Sequence, residues 1–202
     1  MSSFLDEPVL GFLDQLAART PTPGGGGAAA VTGAMAAGLV AMAVRFSATR
    51  LPGAGELADQ ADELRRRLAQ LADEDARAYA AVLEALRLPR ETSQREVQRQ
   101  EALLGAALVP LEIAGIGAQV ALMAARLAEA GNPNLCGDAV TGAVLAAASA
   151  RSAAGLVDIN VKLGGLDPDL SRRAARAAAD ASDAADRAGQ EPSLRARPGQ
   201  FP

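Results

Sequence analysis

Residues 21–48 read PTPGGGGAAAVTGAMAAGLVAMAVRFSA, and they are the most informative part of the chain about its architecture. Two prolines stiffen its entry, and the four glycines from Gly24 to Gly27 let the backbone take positive φ or approach another group closely. From Ala28 to about Ala48 every face is small or apolar, which predicts a central helix packed closely on all sides. We expect the protein to be built around this Ala/Gly-rich helix.

The composition favours one all-α domain. The chain has 202 residues, which suits a single domain of ordinary size. Alanine accounts for 49 residues and aromatic residues for only 2%, so closely packed helices are favoured over sheets. We therefore expect a bundle of about six helices over residues 1–189, followed by a Pro-containing tail, 190–202, that is mobile.

Apolar spacing and capping residues predict five helices besides the central one. They are expected from Asp6 to near Arg19, Glu56 to about Arg87, Gln94 to Glu129, Leu135 to Lys162, and from Asp167-Pro168 to about Ala188. Pro110 should kink or divide the fourth helix of the chain, because an interior proline removes a backbone hydrogen bond and clashes with the preceding turn.

The residue types that are missing exclude several chemistries. Histidine is absent, which excludes Ser-His-Asp triads, Cys-His pairs, HExxH zinc sites and imidazole proton shuttles. Acid–base work must therefore fall to Asp, Glu, Arg, Tyr or the single lysine, Lys162. One cysteine, Cys136, allows no internal disulfide and no Cys-rich metal site, so we expect no metal and a cytoplasmic setting.

Charge and hydropathy bear on the partners. The net charge of −4 argues against a nucleic-acid surface. The amino terminus shows no basic segment followed by an apolar one, and the run from Ala28 to Val44 is only weakly hydrophobic, so we expect no signal peptide and no membrane partner. The glycine stretch follows a predicted helix rather than a strand and lacks Gly-Lys-Ser/Thr, which argues against a nucleotide site.

Asp75 is the sharpest chemical signal that spacing gives. It lies on the apolar stripe of the third helix, whereas Asp73 and Glu74 fall nearer solvent on the same register. An inward carboxylate must be paired, solvated in a cavity or held protonated by desolvation. The alternatives are that Asp75 sits at the edge of the stripe and pairs with an arginine, or that Glu74 and Asp75 together form a solvated face.

Three further segments are candidates with simpler alternatives. Gly24 to Gly27, directly before a helix, would present free N–H groups at the positive end of a helix dipole to an anion, or they form a flexible connection. Asn132 and Asn134 lead into a helix in which Asp138 is either a cap or a reactive group. Asn160, on a helix of small residues, needs a hydrogen-bond partner if it is buried.

Together these segments resemble the cyclodeaminase/cyclohydrolase family, the carboxy-terminal domain type of formiminotransferase-cyclodeaminase and its free-standing bacterial relatives. The resemblance covers Phe12 to about Leu163. The pieces that carry it are Pro21-Thr22-Pro23-Gly24-Gly25-Gly26, the Ala/Gly-rich helix that follows, Asp73-Glu74-Asp75-Ala76 with Tyr79 and Leu88-Pro89, Val109-Pro110-Leu111, Gly131-Asn132-Pro133-Asn134 with Asp138, and Asp158-Ile159-Asn160. Six pieces in this order are specific, although none is decisive alone.

The resemblance implies an all-helical homodimer that acts on a tetrahydrofolate derivative without a metal or redox cofactor. Such enzymes close 5-formiminotetrahydrofolate to 5,10-methenyltetrahydrofolate with loss of ammonia, or hydrolyse the methenyl bridge. By this resemblance Asp75 transfers protons, and Asp138 pairs with it electrostatically or holds the pterin. Gly24, Gly25, Gly26 and Gly27 would approach the ligand, and Asn132, Asn134 and Asn160 would position it.

The chain also departs from the family's pattern. Gly27 and Gly137 stand where members commonly have Ser, Ala48-Thr49-Arg50 replaces a Lys-containing segment, and Leu156-Val157 replaces an Asn-Val pair. Several hydrogen-bonding groups are therefore missing. Three interpretations follow: a folate cyclodeaminase, a methenyltetrahydrofolate cyclohydrolase, or a helical dimer that binds a ligand or partner without catalysis.

Overall fold

Six α-helices make up most of the computed structural model, which describes residues 3–89 and 93–190. The helices are α1 Val9–Ala17, α2 Gly25–Arg45, α3 Ala54–Arg87, α4 Ser93–Ala130, α5 Cys136–Gly164 and α6 Asp169–Gly189. No strand occurs within these two ranges, so the expected all-α bundle is confirmed. Of the expected tail, 190–202, all but Gln190 lies outside the described residues.

The Ala/Gly-rich helix α2 lies in the middle of the bundle. It packs against α3 and α5 and also touches α4, while α6 covers α4 and α5. Small side chains allow this close approach: a Cβ on Gly33 would lie 2.8 Å from Ser149 Oγ and 3.1 Å from a methyl group of Leu68. Interiors packed this tightly tolerate little added volume.

The glycine stretch is helical rather than a flexible connection. Gly24 is the N-cap of α2, and Gly25, Gly26 and Gly27 form its first turn. The helix therefore begins before the expected start at Ala28. It ends at Arg45 instead of near Ala48.

Other helix ends shift by a few residues for local reasons. The third helix begins at Ala54 rather than Glu56, because Gly53 turns the chain in the left-handed region with φ 74°. The fifth runs to Gly164 and is ended by Gly165, whose φ is 58°. The first helix ends at Ala17, before the expected Arg19.

Pro110 does not divide the fourth helix. α4 is continuous from Ser93 to Ala130 with Pro110 buried inside it. A proline at this position has no N–H for the carbonyl four residues earlier, that of Ala106. The Asn160 side chain of α5 replaces the missing donor, since its Nδ2 donates to Ala106 O at 2.8 Å. A hydrogen bond from the neighbouring helix α5 thus replaces the one that Pro110 removes, and α4 is not interrupted.

The amino-terminal segment is anchored on Asp73. Ser3 Oγ donates to Asp73 Oδ2 at 2.6 Å, and the Phe4 N–H donates to Oδ1 at 2.9 Å. The Phe4 ring packs edge-on against Phe12 of α1, with 6.1 Å between ring centres. The expectation that Asp73 faces solvent was therefore only partly right, because these bonds leave the residue half-buried.

Three helical segments are long and apolar enough to cross a membrane, judged by length and composition alone. They are Gly25–Arg45, Arg95–Ala130 and Pro133–Gly164. In the folded chain 56%, 61% and 44% of their most apolar windows are buried against protein. The expectation that the chain has no membrane partner stays a prediction.

The close contact at Gly33 gives a test of the packing. Gly33→Ala should lower the free energy of unfolding by about 1–3 kcal/mol, because the added methyl group pushes the Ser149 hydroxyl away from its acceptor, Ala29 O at 2.7 Å. Gly115→Ala is the matched control, since a Cβ there meets nothing within 4 Å. It should stabilise the helix by up to about 1 kcal/mol. Urea unfolding measures both, and equal effects would contradict the assignment.

Candidate active site around Asp75

A cleft of about 450 Å³ opens beyond the amino-terminal end of α2. The helices α3 and α5 form its two sides, and α4 contributes Leu103 and Ala106 between them. The segment before α2 contributes Pro21, Thr22 and Gly24. Pockets of this size accommodate small-molecule ligands.

Asp75 reaches this cleft from α3 and contacts the first turn of α2. Its Oδ2 accepts a hydrogen bond from the Gly27 N–H at 3.1 Å. A Cβ at Gly26 would overlap the carboxylate, so only glycine permits this approach. Gly25 and Gly26 carry the other N–H groups of the turn, and neither donates to a described residue. The site therefore combines one carboxyl group with the positive end of a helix dipole.

The surroundings of Asp75 change its acidity. Burial raises the pKa of this carboxyl above its usual range, and the hydrogen bond from Gly27 N–H opposes that shift. Asp75 makes no salt bridge among the described residues, so the alternative in which it pairs with an arginine is not what the structure shows. Its neighbour Glu74 is the carboxylate that pairs, with Arg67 at 2.6 Å.

Asn160 also lines the cleft, where it has two tasks. Its amide nitrogen donates a hydrogen bond to Ala106 O, the carbonyl that Pro110 leaves without a helical donor. This bond fixes the side chain next to the cavity. The amide oxygen is the atom that stays available to accept a hydrogen bond from a ligand.

The remaining predicted polar residues lie at the opposite end of α2. The Asn132 N–H donates to Ser47 Oγ at 2.8 Å, and its side chain donates to Phe46 O at 3.3 Å, just beyond the carboxyl end of α2. Asn134 follows in the same turn and Asp138 lies in the first turn of α5. Since α2 has 21 residues, this group is about 30 Å from the cleft within one chain.

The apolar walls of the cleft were not among the predicted site residues. They consist of Tyr79, Val82, Leu83, Leu86, Leu103, Leu156, Ile159 and Leu163. Several of these are exposed despite their size; Leu163, for example, is 59% exposed. Helical spacing alone assigns such residues to a core. They face a cavity because α2 has its amino-terminal end at Gly25, whereas α3 and α5 extend past that end.

No group of three or more Cys, Asp or Glu side chains suited to a metal ion occurs in residues 3–89 and 93–190. The absence of a metal from the reaction stays a prediction. Cys136 is buried, which agrees with its interpretation as a structural residue.

The raised pKa of Asp75 predicts how stability depends on pH. The folded chain holds this proton more tightly than the unfolded chain, so the stability contributed by the group is complete below the unfolded pKa and is lost as pH rises through the folded pKa. Asp75→Asn removes that loss. The Tm of the variant relative to wild type should therefore increase as pH is raised from about 3 to about 7.

Thermal unfolding across this pH range measures the effect. Asp59→Asn, an exposed change on the same helix, corrects for the loss of one negative charge. A difference in Tm between Asp75→Asn and wild type that does not vary with pH would show that the carboxyl is not held against its ionised form.

Comparison with known proteins identifies a family to which this chain is similar. The profile of the Formiminotransferase-cyclodeaminase family matches residues 8–179. Methenyltetrahydrofolate cyclohydrolase of Methylorubrum extorquens is 39% identical over 172 residues, or 80% of this chain and 82% of that protein. Formimidoyltransferase-cyclodeaminase of Mus musculus is 34% identical over 151 residues, which cover 67% of this chain but 27% of that longer protein.

A solved structure agrees with the sequence comparisons. The crystal structure of formiminotetrahydrofolate cyclodeaminase from Thermotoga maritima matches with a TM-score of 0.81 and 27% identity, covering 92% of this chain and 96% of that one. The similarity thus extends from sequence to the fold over 92% of this chain. The chain belongs to the formiminotransferase-cyclodeaminase family.

Proposed function

We propose that this chain is an enzyme of folate one-carbon metabolism that closes 5-formiminotetrahydrofolate to 5,10-methenyltetrahydrofolate and releases ammonia. The observation that carries this proposal is the environment of the Asp75 carboxyl group. Burial raises its pKa, the Gly27 N–H in the first turn of α2 donates a hydrogen bond to it, and it lines a cleft large enough for a small molecule. A carboxyl group with a raised pKa is a stronger base than an ordinary carboxylate and can return the proton that it accepts.

One carboxyl group is sufficient for the proton transfers of ring closure. N10 adds to the carbon of the protonated formimino group and loses a proton as the new C–N bond forms. The Asp75 carboxylate accepts this proton and passes it to the formimino nitrogen, which leaves as ammonia. One proton is moved and none is consumed, and the methenyl product keeps the positive charge that the substrate held. No cofactor is required.

The other cleft residues would hold the substrate. The free N–H groups of Gly25 and Gly26 face the region where a polar edge of the pterin would lie, and Asn160 offers its amide oxygen. Gly27 acts on Asp75 rather than on the ligand. Leu156, one of the departures from the family's pattern, lines the same cleft, so an apolar contact replaces a polar one there.

Hydrolysis of the methenyl bridge is the second candidate reaction. It is favoured by the similarity to the cyclohydrolase of Methylorubrum extorquens, most of whose length this chain covers. Water would add to the same carbon, and Asp75 would take one proton from it and pass that proton to the departing ring nitrogen. The second proton of the water would be released to solvent as the neutral formyl group forms. The two reactions therefore require the same carboxyl group.

The reaction itself provides the test. Asp75→Asn should keep the fold and lower turnover by about two to four orders of magnitude, because the amide cannot exchange a proton. Methenyl absorbance and ammonia release, followed with 5-formiminotetrahydrofolate and with 5,10-methenyltetrahydrofolate, separate the lyase from the hydrolase. Asp73→Asn, which alters a carboxylate that anchors the amino-terminal segment outside the cleft, is the matched control.

Two outcomes would contradict the assignment. Normal turnover by Asp75→Asn would remove this residue from the chemistry. Absence of both reactions in the wild-type chain, with folate binding retained, would select the non-catalytic interpretation.

The chain is further proposed to act as a homodimer, whose interface is the outer face of α2 and α5. This face contains the large apolar residues Met35, Phe46 and Val144, which are 54%, 67% and 53% exposed. It extends over about 30 Å by 20 Å, so a symmetric pair would bury about 1,200 Å² in total. That area is sufficient for a specific dimer, and a second copy is the partner that such a self-complementary apolar face fits.

A two-fold axis perpendicular to α2 would place opposite ends of the two helices together. The turn with Asn132 and Asn134, and Asp138 after it, would then lie beside the cleft of the other copy. The dipoles of the paired helices would also oppose each other favourably. This arrangement explains how residues about 30 Å apart in one chain can serve one site.

Mixing two inactive variants tests the shared site. Asp75→Asn and Asp138→Asn should each be inactive, but after subunit exchange half of the dimers are mixed and one of their two sites is intact. About a quarter of wild-type activity should therefore return. No recovery would contradict the arrangement.

The interface can be tested without activity. Met35→Glu should give a monomer by light scattering, whereas Leu122→Glu, on the exposed side of α4, should not. Unchanged mass for Met35→Glu would contradict an interface at this face.

The cellular location and the partners of the enzyme are inferred from its composition. We infer a cytoplasmic protein with no nucleic-acid or membrane partner, supported by the net charge of −4, by the single cysteine and by the burial of much of the apolar surface of α2 and α4. Recovery in the soluble fraction after cell lysis at high salt would be the expected result.

A further inference from the structure

One side of α2 faces away from the bundle along the whole length of the helix. The residues on this side follow each other at alternating spacings of three and four, which is the spacing of a seam between two paired helices. They are Gly25, Ala28, Thr32, Met35, Leu39, Met42 and Phe46. All seven are exposed or half-buried, and none of them is charged. We call this set the α2 seam.

Side-chain size increases along the α2 seam. The three residues before Met35 are small, and the three residues after it are large. Two copies of the helix therefore fit together in the antiparallel direction, where each small residue meets a large one. In the parallel direction large residues would meet each other and small residues would leave gaps.

A two-fold axis at Met35 pairs every position of the α2 seam. It places Gly25 beside the partner's Phe46 and Ala28 beside the partner's Met42, and the remaining positions follow the same rule. A shift by one helical turn in either direction would leave one end of the seam without a partner. The axis at Met35 is thus the register that uses the whole seam.

The outer side of α5 fits the same axis. This helix runs antiparallel to α2, and the contacts that Gly142 and Ser149 make with α2 put Val144 level with Met35. Val144 is 53% exposed, and the axis brings it to its own copy. The contact area of about 1,200 Å² given above for this face is in the range of specific dimers.

Charges on α5 also match in this register. Asp138 lies near the level of Met42, and Arg151 lies near the level of Ala29. Neither makes a salt bridge among the described residues. The axis at Met35 brings Asp138 of each copy level with the partner's Arg151, so opposite charges meet twice.

A groove of about 330 Å³ between α2 and α5 lies beside the small half of the α2 seam. It shares Gly25 and Leu156 with the Asp75 cleft. The hydroxyl groups of Thr32 and Ser149 in its lining donate to backbone carbonyls of α2 at 2.8 and 2.7 Å, so the groove presents mainly carbon atoms. A cavity of about 150 Å³ can hold a benzene ring, and the groove therefore has room for a phenyl side chain.

Phe46 is the large residue that the paired helices bring to this groove. It is 67% exposed, and it extends the helix at the C-cap with φ −77° and ψ −6°. Its carbonyl accepts a hydrogen bond from Asn132 Nδ2 at 3.3 Å, which ties its backbone to the following turn. An exposed phenyl ring on a tethered backbone matches an apolar groove on a second copy.

We propose that Phe46 of a second copy fills this groove and forms the wall of the Asp75 cleft beside Gly25 and Leu156. This inference rests on the proposed function, to whose dimer it gives a register. Groove and cleft meet at those two residues, so the cleft of a single chain is open on that side and the ring closes it. Each active site then combines the carboxyl group of one copy with an aromatic wall from the other.

Disulfide cross-linking tests the register. Cys136 is the one cysteine of the chain and is buried, so an introduced cysteine supplies the accessible thiol. After oxidation with copper phenanthroline, Met35→Cys should give a covalent dimer on a non-reducing gel, because the axis places this residue beside its own copy. Ala28→Cys and Met42→Cys should each stay single chains, since their copies lie about 21 Å apart along the helices, whereas the double variant should cross-link. Cross-linking of Ala28→Cys alone, or none in Met35→Cys, would overturn the register.

Tryptophan fluorescence tests the groove. The chain contains no tryptophan, so Phe46→Trp provides a single reporter. Its emission should be blue-shifted relative to the same tryptophan in the Met35→Glu background, where the copies separate. Ser152→Phe fills the groove from α5 and should shift the emission to the red, whereas Leu122→Phe, on the exposed side of α4, should not. A solvent-like emission in the dimer, or one that Ser152→Phe does not change, would overturn the placement of Phe46.

Kinetics test the contribution to the cleft wall. At concentrations where light scattering shows a dimer, Phe46→Ala should raise KM about ten-fold with little change in kcat, because the ring contacts the substrate and moves no proton. Leu122→Ala should change neither constant, and an unchanged KM in Phe46→Ala would contradict the wall. Cross-linking and fluorescence need no substrate. Their expected results in a protein that lacks both folate reactions would therefore support the paired groove while contradicting the proposed activity.

Discussion

The contact between the Asp75 carboxyl group and the first turn of α2 is the constraint on which the site depends. It places the side of α3 against the amino-terminal end of α2. This approach is possible only because Gly26 has no side chain. The hydrogen bond from Gly27 N–H orients the carboxyl group without neutralising it. Because α2 stops at this point while α3 and α5 continue, the contact also fixes one end of the cleft.

A second link couples the core to the site through a proline. Pro110 leaves the Ala106 carbonyl without its helical donor, and Asn160 supplies one from α5. The same bond holds the Asn160 side chain at the cleft wall. Pro110 would weaken α4 as an isolated helix, but in the bundle it creates the acceptor that positions the Asn160 side chain. The two residues are 50 positions apart in the sequence, and this one hydrogen bond explains both.

Much of the fold could be predicted because helical periodicity and caps are local. The spacing around Asp75 indicated an inward carboxylate, and Gly53 and Gly165 ended or began helices within a few residues of the expected positions. Tertiary distances could not be predicted in this way. Spacing gave no sign that Asp138 lies at the far end of α2 from Asp75, or that the donor needed at Pro110 comes from α5.

The geometry also explains how one fold can serve a lyase and a hydrolase. Both reactions pass through a carbon bonded to N5, N10 and a third atom, which is the formimino nitrogen in one case and a water oxygen in the other. Each requires one proton to move across that carbon, and in the proposed function Asp75 is the group that moves it. The choice between the reactions then depends on what the rest of the cleft admits at the third position. The apolar walls contributed by Tyr79, Ile159 and Leu156 are therefore the surfaces on which the two activities should differ.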